Sequence, residues 1–367
     1  MLSNGSGRIA SITAPGGQKT AFVLDANGYL ASATDPAGIV TSYNHTAGGL
    51  LASEVDPKGN NHTYSYDKMG RLATDRDAAG GALTLSRTGA STNFTVSLTT
   101  AMGLTSTYQV ETSSIGGMRR TNIDPQGAKY VTVTNPDGSS IETSPDGTVT
   151  SITKTPDPRL GMFSPVTGSM TVATPGGLIY SLAETRTVSF PSSSGLTGGS
   201  MFGFTTLTDT KTINGNAYTT VYDASTKTFT YTTPMGRQSF TTLNDKGRPI
   251  LSQVAGLLPV NYGYDAQGHL ISVAQGSGTT ARLYTIGYDP QNRISSITDP
   301  LLRSTGFAYD LAGRITQETL PDGRVINFSY DGNGNITSIT PPSKPAHNFD
   351  YTPVDLLKDY VMKSRGR

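Results

Sequence analysis

At 367 residues the chain exceeds the usual size of one compact domain, and 42 Gly, 21 Pro and only 15% charged residues point to many short strands rather than long helices. The 28 Lys and Arg balance 27 Asp and Glu at a formal charge of +1, without a basic run to neutralise phosphates, which argues against a nucleic-acid partner. The absence of cysteine excludes disulfides, thiolate metal sites and thiol nucleophiles, and no apolar stretch approaches membrane-spanning length.

Residues 1–10 lack the apolar run of a signal peptide. The first structured pattern is Leu24-Asp25-Ala26-Asn27-Gly28-Tyr29-Leu30, a worn copy of a unit that is complete at Tyr64-Ser65-Tyr66-Asp67-Lys68-Met69-Gly70-Arg71-Leu72. Tyr43-Asn44 reads as another worn copy. Turns follow at Asp35-Pro36-Ala37-Gly38, Asp56-Pro57-Lys58-Gly59, Asp124-Pro125-Gln126-Gly127, Asn135-Pro136-Asp137-Gly138 and Ser144-Pro145-Asp146-Gly147. Over 155–212 the pattern fails, and Ser192 to Ser200 reads as a flexible loop. From Tyr222 onward a clear period appears: Tyr222, Leu243, Tyr264, Tyr288, Tyr309, Tyr330 and Tyr351 are separated by 21 residues, except for one step of 24. The chain therefore divides into degenerate repeats at 1–154, an irregular region at 155–212, regular repeats at 213–352 and a tail at 353–367 that is expected to lead into further polypeptide.

The unit itself is legible. Ile326, Phe328 and Tyr330 alternate with Val325, Asn327 and Ser329, the mark of a strand with one aromatic face. Asp-x-x-Gly then makes a turn in which the carboxylate caps backbone N–H groups and glycine takes a left-handed conformation. Ile294 and Ile297, like Ile336 and Ile339, are three apart, so a bulge is needed to bring both to one face. Each repeat is one hairpin, too small to be stable alone, and neighbours must share their buried faces. Both ends of such an array are open edges.

Catalytic or metal-binding readings find little support. Each repeated Asp occupies the turn position that requires it, and each repeated Arg is placed to cover a Tyr ring or pair with an Asp. The second Tyr of each unit is assigned to the buried face. The stretch 331–335 imitates a calcium loop but has Ile336 where Gly is required and Pro342 where a bidentate Glu is required. His45, His62, His269 and His347 share no ligand spacing. No enzyme activity, metal or cofactor is expected. The residues singled out are structural: Tyr66, Asp67, Gly70 and Arg71; Tyr264, Asp265 and Gly268; Tyr288, Asp289 and Arg293; Tyr309, Asp310, Gly313 and Arg314; Tyr330, Asp331 and Gly334.

The units at 66–72, 264–270, 288–294, 309–315 and 330–336 resemble the tyrosine-aspartate (YD) repeats of bacterial Rhs proteins, insecticidal toxin complexes and animal teneurins. The resemblance is strong over 218–351 and moderate over 20–150. His269 and Asn335 replace the Arg, and Asn292 replaces the Gly. The resemblance implies an all-β fold of repetitive antiparallel hairpins forming a curved or spiralling sheet, part of a YD shell. It further implies a non-catalytic scaffold that encapsulates or presents a C-terminal toxin or other domain, secreted or at the cell surface. Its partners would be flanking parts of a larger polypeptide, namely a shell-closing segment and the toxin. A carbohydrate-binding or adhesive module, with surface glycans as partners, is the alternative. The family's self-cleavage segment has no counterpart in this sequence.

Overall fold

The repeats fold as hairpins because their turns are chemically specified at both ends of each strand. In the computed structural model, which describes residues 2–3, 8–191 and 203–362, strand Ser304–Tyr309 runs into a turn at 310–314 and returns as Ile315–Thr319. The Gly313 N–H donates to the Asp310 carbonyl at 3.1 Å and the Asp310 N–H to the Arg314 carbonyl at 2.9 Å. Gly313 has a φ of 86°, and this combination is a type I turn closed by a left-handed residue. At the third turn Asn292 supplies the same conformation, with a φ of 62°, as the side chain that tolerates it best after glycine.

The expected bulge is present in the regular repeats from Leu243 onward and is absent after Tyr222, where the register runs unbroken. Gly287 faces Ser296 but Tyr288 faces Ile294, so one extra residue lies on the returning strand. Ile297 faces Ile286, which puts both isoleucines on the face of Tyr288. The same shift recurs at Tyr309, Tyr330 and Tyr351.

The fold is all-β and antiparallel, with strands adjacent in sequence pairing side by side. It divides into two compact units, one of residues 1–85, 99–103 and 283–367, the other of 86–98 and 104–282. In the first, one run of paired strands extends from Ile9–Thr13 to Ala82–Gly89 and another from Arg282–Tyr288 to Leu357–Met362. Part of the expected tail is thus a strand, paired along His347–Tyr351 and with all six residues exposed. In the second unit the run goes from Thr105–Thr112 to Leu270–Gln275.

Among the described residues no hydrophobic side chain is fully buried. Tyr288, Tyr309, Tyr330 and Tyr351 of the regular repeats are half-buried. Among the described residues, the one side chain that is fully buried is that of Asp157.

Two sequence readings change. At the second repeat the turn starts at Thr46, not at Asn44: the Gly49 N–H donates to the Thr46 carbonyl, and His45, facing Leu51, takes the place of the second Tyr. Tyr43 therefore corresponds to Tyr64 rather than to Tyr66. After Tyr222 the turn is of another kind, with the Asp223 carboxylate capping the N–H groups of Ser225 and Thr226 and Lys227 at a φ of 52°. The loop expected at Ser192 to Ser200 lies outside the described residues.

Candidate functional site

The singled-out residues build a ladder that ties each repeat to the next. Within a turn, the Asp310 Oδ1 accepts the Arg314 N–H at 2.9 Å and its Oδ2 accepts the Arg314 Nε–H at 2.7 Å. Asp289 holds Arg293 by the same two bonds, at 2.9 and 2.7 Å, and Asp67 holds Arg71 at 3.0 and 2.7 Å. One carboxylate thereby fixes both the loop backbone and the direction of the guanidinium.

That direction carries the connection between repeats. Arg293 donates through Nη1 to the Asp310 carbonyl at 2.9 Å, and its guanidinium lies 4.6 Å from the centre of the Tyr309 ring. Arg314 does the same one repeat later, donating to the Asp331 carbonyl at 3.1 Å and standing 4.8 Å from the Tyr330 ring. The tyrosines reach back: Tyr309 O–H donates to the Ile294 carbonyl and Tyr330 O–H to the Ile315 carbonyl, each at 2.7 Å. Tyr66, Tyr264 and Tyr351 make the equivalent bond to Leu51, Pro249 and Ile336. A rung of this kind joins about one neutral hydrogen bond, one half-exposed ion pair and one cation–π contact, together about 1–3 kcal/mol.

The rungs set the ionisation of their members. Burial pushes Asp289 and Asp310 upward, but the N–H groups and guanidinium of Arg293 and Arg314 outweigh it and hold both below the ordinary carboxylate value. Burial, reinforced by Asp289 and Asp310, raises Tyr309 and Tyr330. These groups stay charged and uncharged, respectively, at neutral pH.

Where the Arg is replaced, the rung changes character. His269 Nδ1 lies 2.8 Å from Asp265 Oδ2 in place of a guanidinium, while Arg248 of the preceding turn keeps the usual placement over the Tyr264 ring, 5.7 Å from its centre. The glycines Gly70, Gly268 and Gly334 have φ values of 76°, 93° and 93°, as their turns require. Tyr66, Asp67, Gly70 and Arg71 belong to the first unit together with 288–334, whereas Tyr264, Asp265 and Gly268 belong to the second.

One cluster escaped the sequence reading. In the second unit Asp157 accepts from Arg159 N at 2.8 Å, Arg159 Nη2 at 3.1 Å, Leu160 N at 3.2 Å and Arg186 Nη1 at 3.0 Å. Arg186 also grips Asp209 at 2.6 and 2.8 Å. Hydrogen bonds from the Arg159 side chain hold Asp157 far below the usual carboxylate range, against the effect of burial. The cluster joins Val149–Asp157, Ile179–Ser189 and Thr206–Ile213. Asp157-Pro158 was a visible turn signal, but nothing local announced its distant arginine.

The sequence matches the family described as Teneurin YD-shell over residues 3–361. No curated protein matches it. Among solved structures it is similar to TcdB2-TccC3 without its hypervariable C-terminal region, at 13% identity and a TM-score of 0.46, over 97% of this chain and 23% of that one. It is also similar to the Tc holotoxin pore of Photorhabdus luminescens, at 12% identity and a TM-score of 0.35, over 98% of this chain and 25% of that one. The chain thus spans about a quarter of the length of these structures.

Proposed function

The chain belongs to the teneurin YD-shell family, and from that membership we propose that it is a stretch of shell wall, a non-catalytic scaffold that encloses or presents another polypeptide segment. In this reading the enclosed segment is a toxin or other domain following the wall, and the assembly is secreted or displayed at the cell surface. The residues Tyr66 to Arg71, Tyr264 to Gly268 and Tyr288 to Gly334 named above are its wall-building set.

The observation that carries the reading is the commitment of the repeat side chains to one another. The Asp289 and Asp310 carboxylates are spent on turn N–H groups and their own Arg, and the Tyr309 and Tyr330 hydroxyls on the preceding repeat's backbone. A wall of hairpins gains stability from each neighbour interface, so length can be added without a new core.

Protection of the enclosed segment tests this. A protease-sensitive reporter domain is fused after residue 367, and the rate at which a protease cuts the reporter is compared with the rate for the reporter alone. A wall slows the cut until the sheet is unfolded by denaturant. Equal rates with and without the folded chain would overturn the proposal.

A further inference from the structure

Within the first unit, the turns of the N-terminal repeats meet the turns of the C-terminal repeats. Gln18 Nε2 donates to the Gln291 carbonyl at 3.3 Å. Pro36 lines one cleft with Asp310 and Leu311. Pro57 lies against Gly332, where an added Cβ would stand 3.2 Å from the Pro57 Cβ. The turns beginning at 14, 35 and 56 therefore sit on those beginning at 289, 310 and 331, a constant offset of 275 positions.

A constant offset has an ambiguity built into it. Both series advance by 21 residues, so sliding one along the other by a single repeat would again set turn against turn. Periodic surfaces need an aperiodic residue to fix their register, as a lone polar residue does in a helical zipper.

Two departures from the repeat coincide at one contact. The third position of the N-terminal turns is Gly16, Ala37 and then Lys58. The last position of the C-terminal turns is Arg293, Arg314 and then Asn335. In the first two of these, the Arg occupies its own Asp Oδ2 at 2.7 Å. In the third, Asn335 bonds that oxygen through Nδ2 at 3.1 Å, and Lys58 Nζ arrives from the other arm at 3.0 Å. Asp355 Oδ1 stands 3.9 Å from the same ammonium, and Asn333 Nδ2 bridges Asp56 Oδ2 and Asp355 Oδ1 at 2.5 and 3.1 Å.

We propose that Lys58 is the registry key of this contact, a positioning residue whose cation fits only the repeat that lacks its own arginine. Slid by one repeat, Lys58 would face Asp310, already held by Arg314, and Asp331 would be left without a cation. The inference concerns contacts inside the chain and does not depend on what the wall encloses.

Because the sequence contains no cysteine, paired cysteines can read the register directly. Pro57→Cys with Gly332→Cys reports the observed register, since their Cβ atoms come within disulfide reach. Pro57→Cys with Leu311→Cys reports the slid one. In the otherwise unaltered chain the first pair should close under mild oxidation and the second should not. Adding Lys58→Ala should lower the closure ratio of first to second pair by about fivefold, the factor expected of a modest ion pair. Asn335→Arg, which restores the ordinary turn and removes no charge from the N-terminal arm, should lower it likewise and covers the case in which Lys58→Ala does not fold. A ratio unchanged by either substitution overturns the proposal, as does failure of the first pair to close in the unaltered chain.

Discussion

The regular repeats at 288–335 and the irregular stretch at 155–212 hold their strands together in opposite ways. In the repeats, stability is distributed over half-exposed rungs of the same design, so that no rung is indispensable. In the irregular stretch the strands are longer, 13 residues at Gly161–Ala173, and their register shifts twice beside Asp157. There the repeating contacts give way to one buried carboxylate with several donors. Periodicity permits small identical contributions, and its loss requires a concentrated one.

The sharpest way to break this contrast is at Asp157. Asp157→Ala should cost about 3–5 kcal/mol in urea unfolding, because Arg159 and Arg186 would be left facing a partly buried gap. Asp157→Asn keeps an acceptor but loses the charge, and should cost less. A loss of under about 1 kcal/mol for the Ala variant would show that the irregular stretch is held by its backbone ladder alone.

Acid should separate the two regions next. Carboxylates held below their unfolded value stabilise the fold fully above that value, about pH 4, and lose the contribution as pH falls through the folded one. Asp289, Asp310 and Asp331 are moderately depressed, while Asp157 is depressed much further. The repeats should therefore loosen first on acidification, and the Asp157 cluster last. Amide exchange corrected for its intrinsic pH dependence measures this, and the reverse order would contradict the assignment of donors to Asp157.

A smaller effect is expected of Arg314→Met, which removes the bond to Asp310, the bond to the Asp331 carbonyl and the cation over Tyr330. The cost should be about 1–2 kcal/mol, confined to the repeats on either side, and Arg314→Lys should recover only part of it. Unfolding that spread equally to the 155–212 strands would argue against nearest-neighbour stabilisation.

What the sequence disclosed follows the same division. The period, the capping Asp and the left-handed glycines were legible because their chemistry closes within five residues. The bulge was legible from the spacing of Ile294 and Ile297. Tyr43 was misplaced because His45 stands where a Tyr was sought, although the alternation Tyr43, His45 matches Tyr64, Tyr66. The link from Tyr309 back to Ile294 depends on strand register, and the Lys58 contact on the return of the sheet 275 positions later; no local pattern encodes either. Asn335 shows in the sequence only as a replacement of the Arg, because its compensating cation lies in another repeat.

The smallest effect is the most informative about how rungs combine. Tyr330→Phe keeps the ring beneath Arg314 and removes only the hydroxyl that donates to the Ile315 carbonyl, at a cost of about 1 kcal/mol. Tyr309→Phe should cost the same, since its bond to Ile294 has the same length. If rungs act independently, the double variant should lose the sum to within about 0.5 kcal/mol. Arg314, however, connects the two rungs: it is fixed by Asp310, beside Tyr309, and covers Tyr330. A double-variant loss smaller than the sum would mean that each hydroxyl also steadies the neighbouring guanidinium, so that either single change already forfeits the shared support, making the ladder cooperative along the wall. No such coupling should appear between Tyr330→Phe and Asp157→Asn, which share no partner.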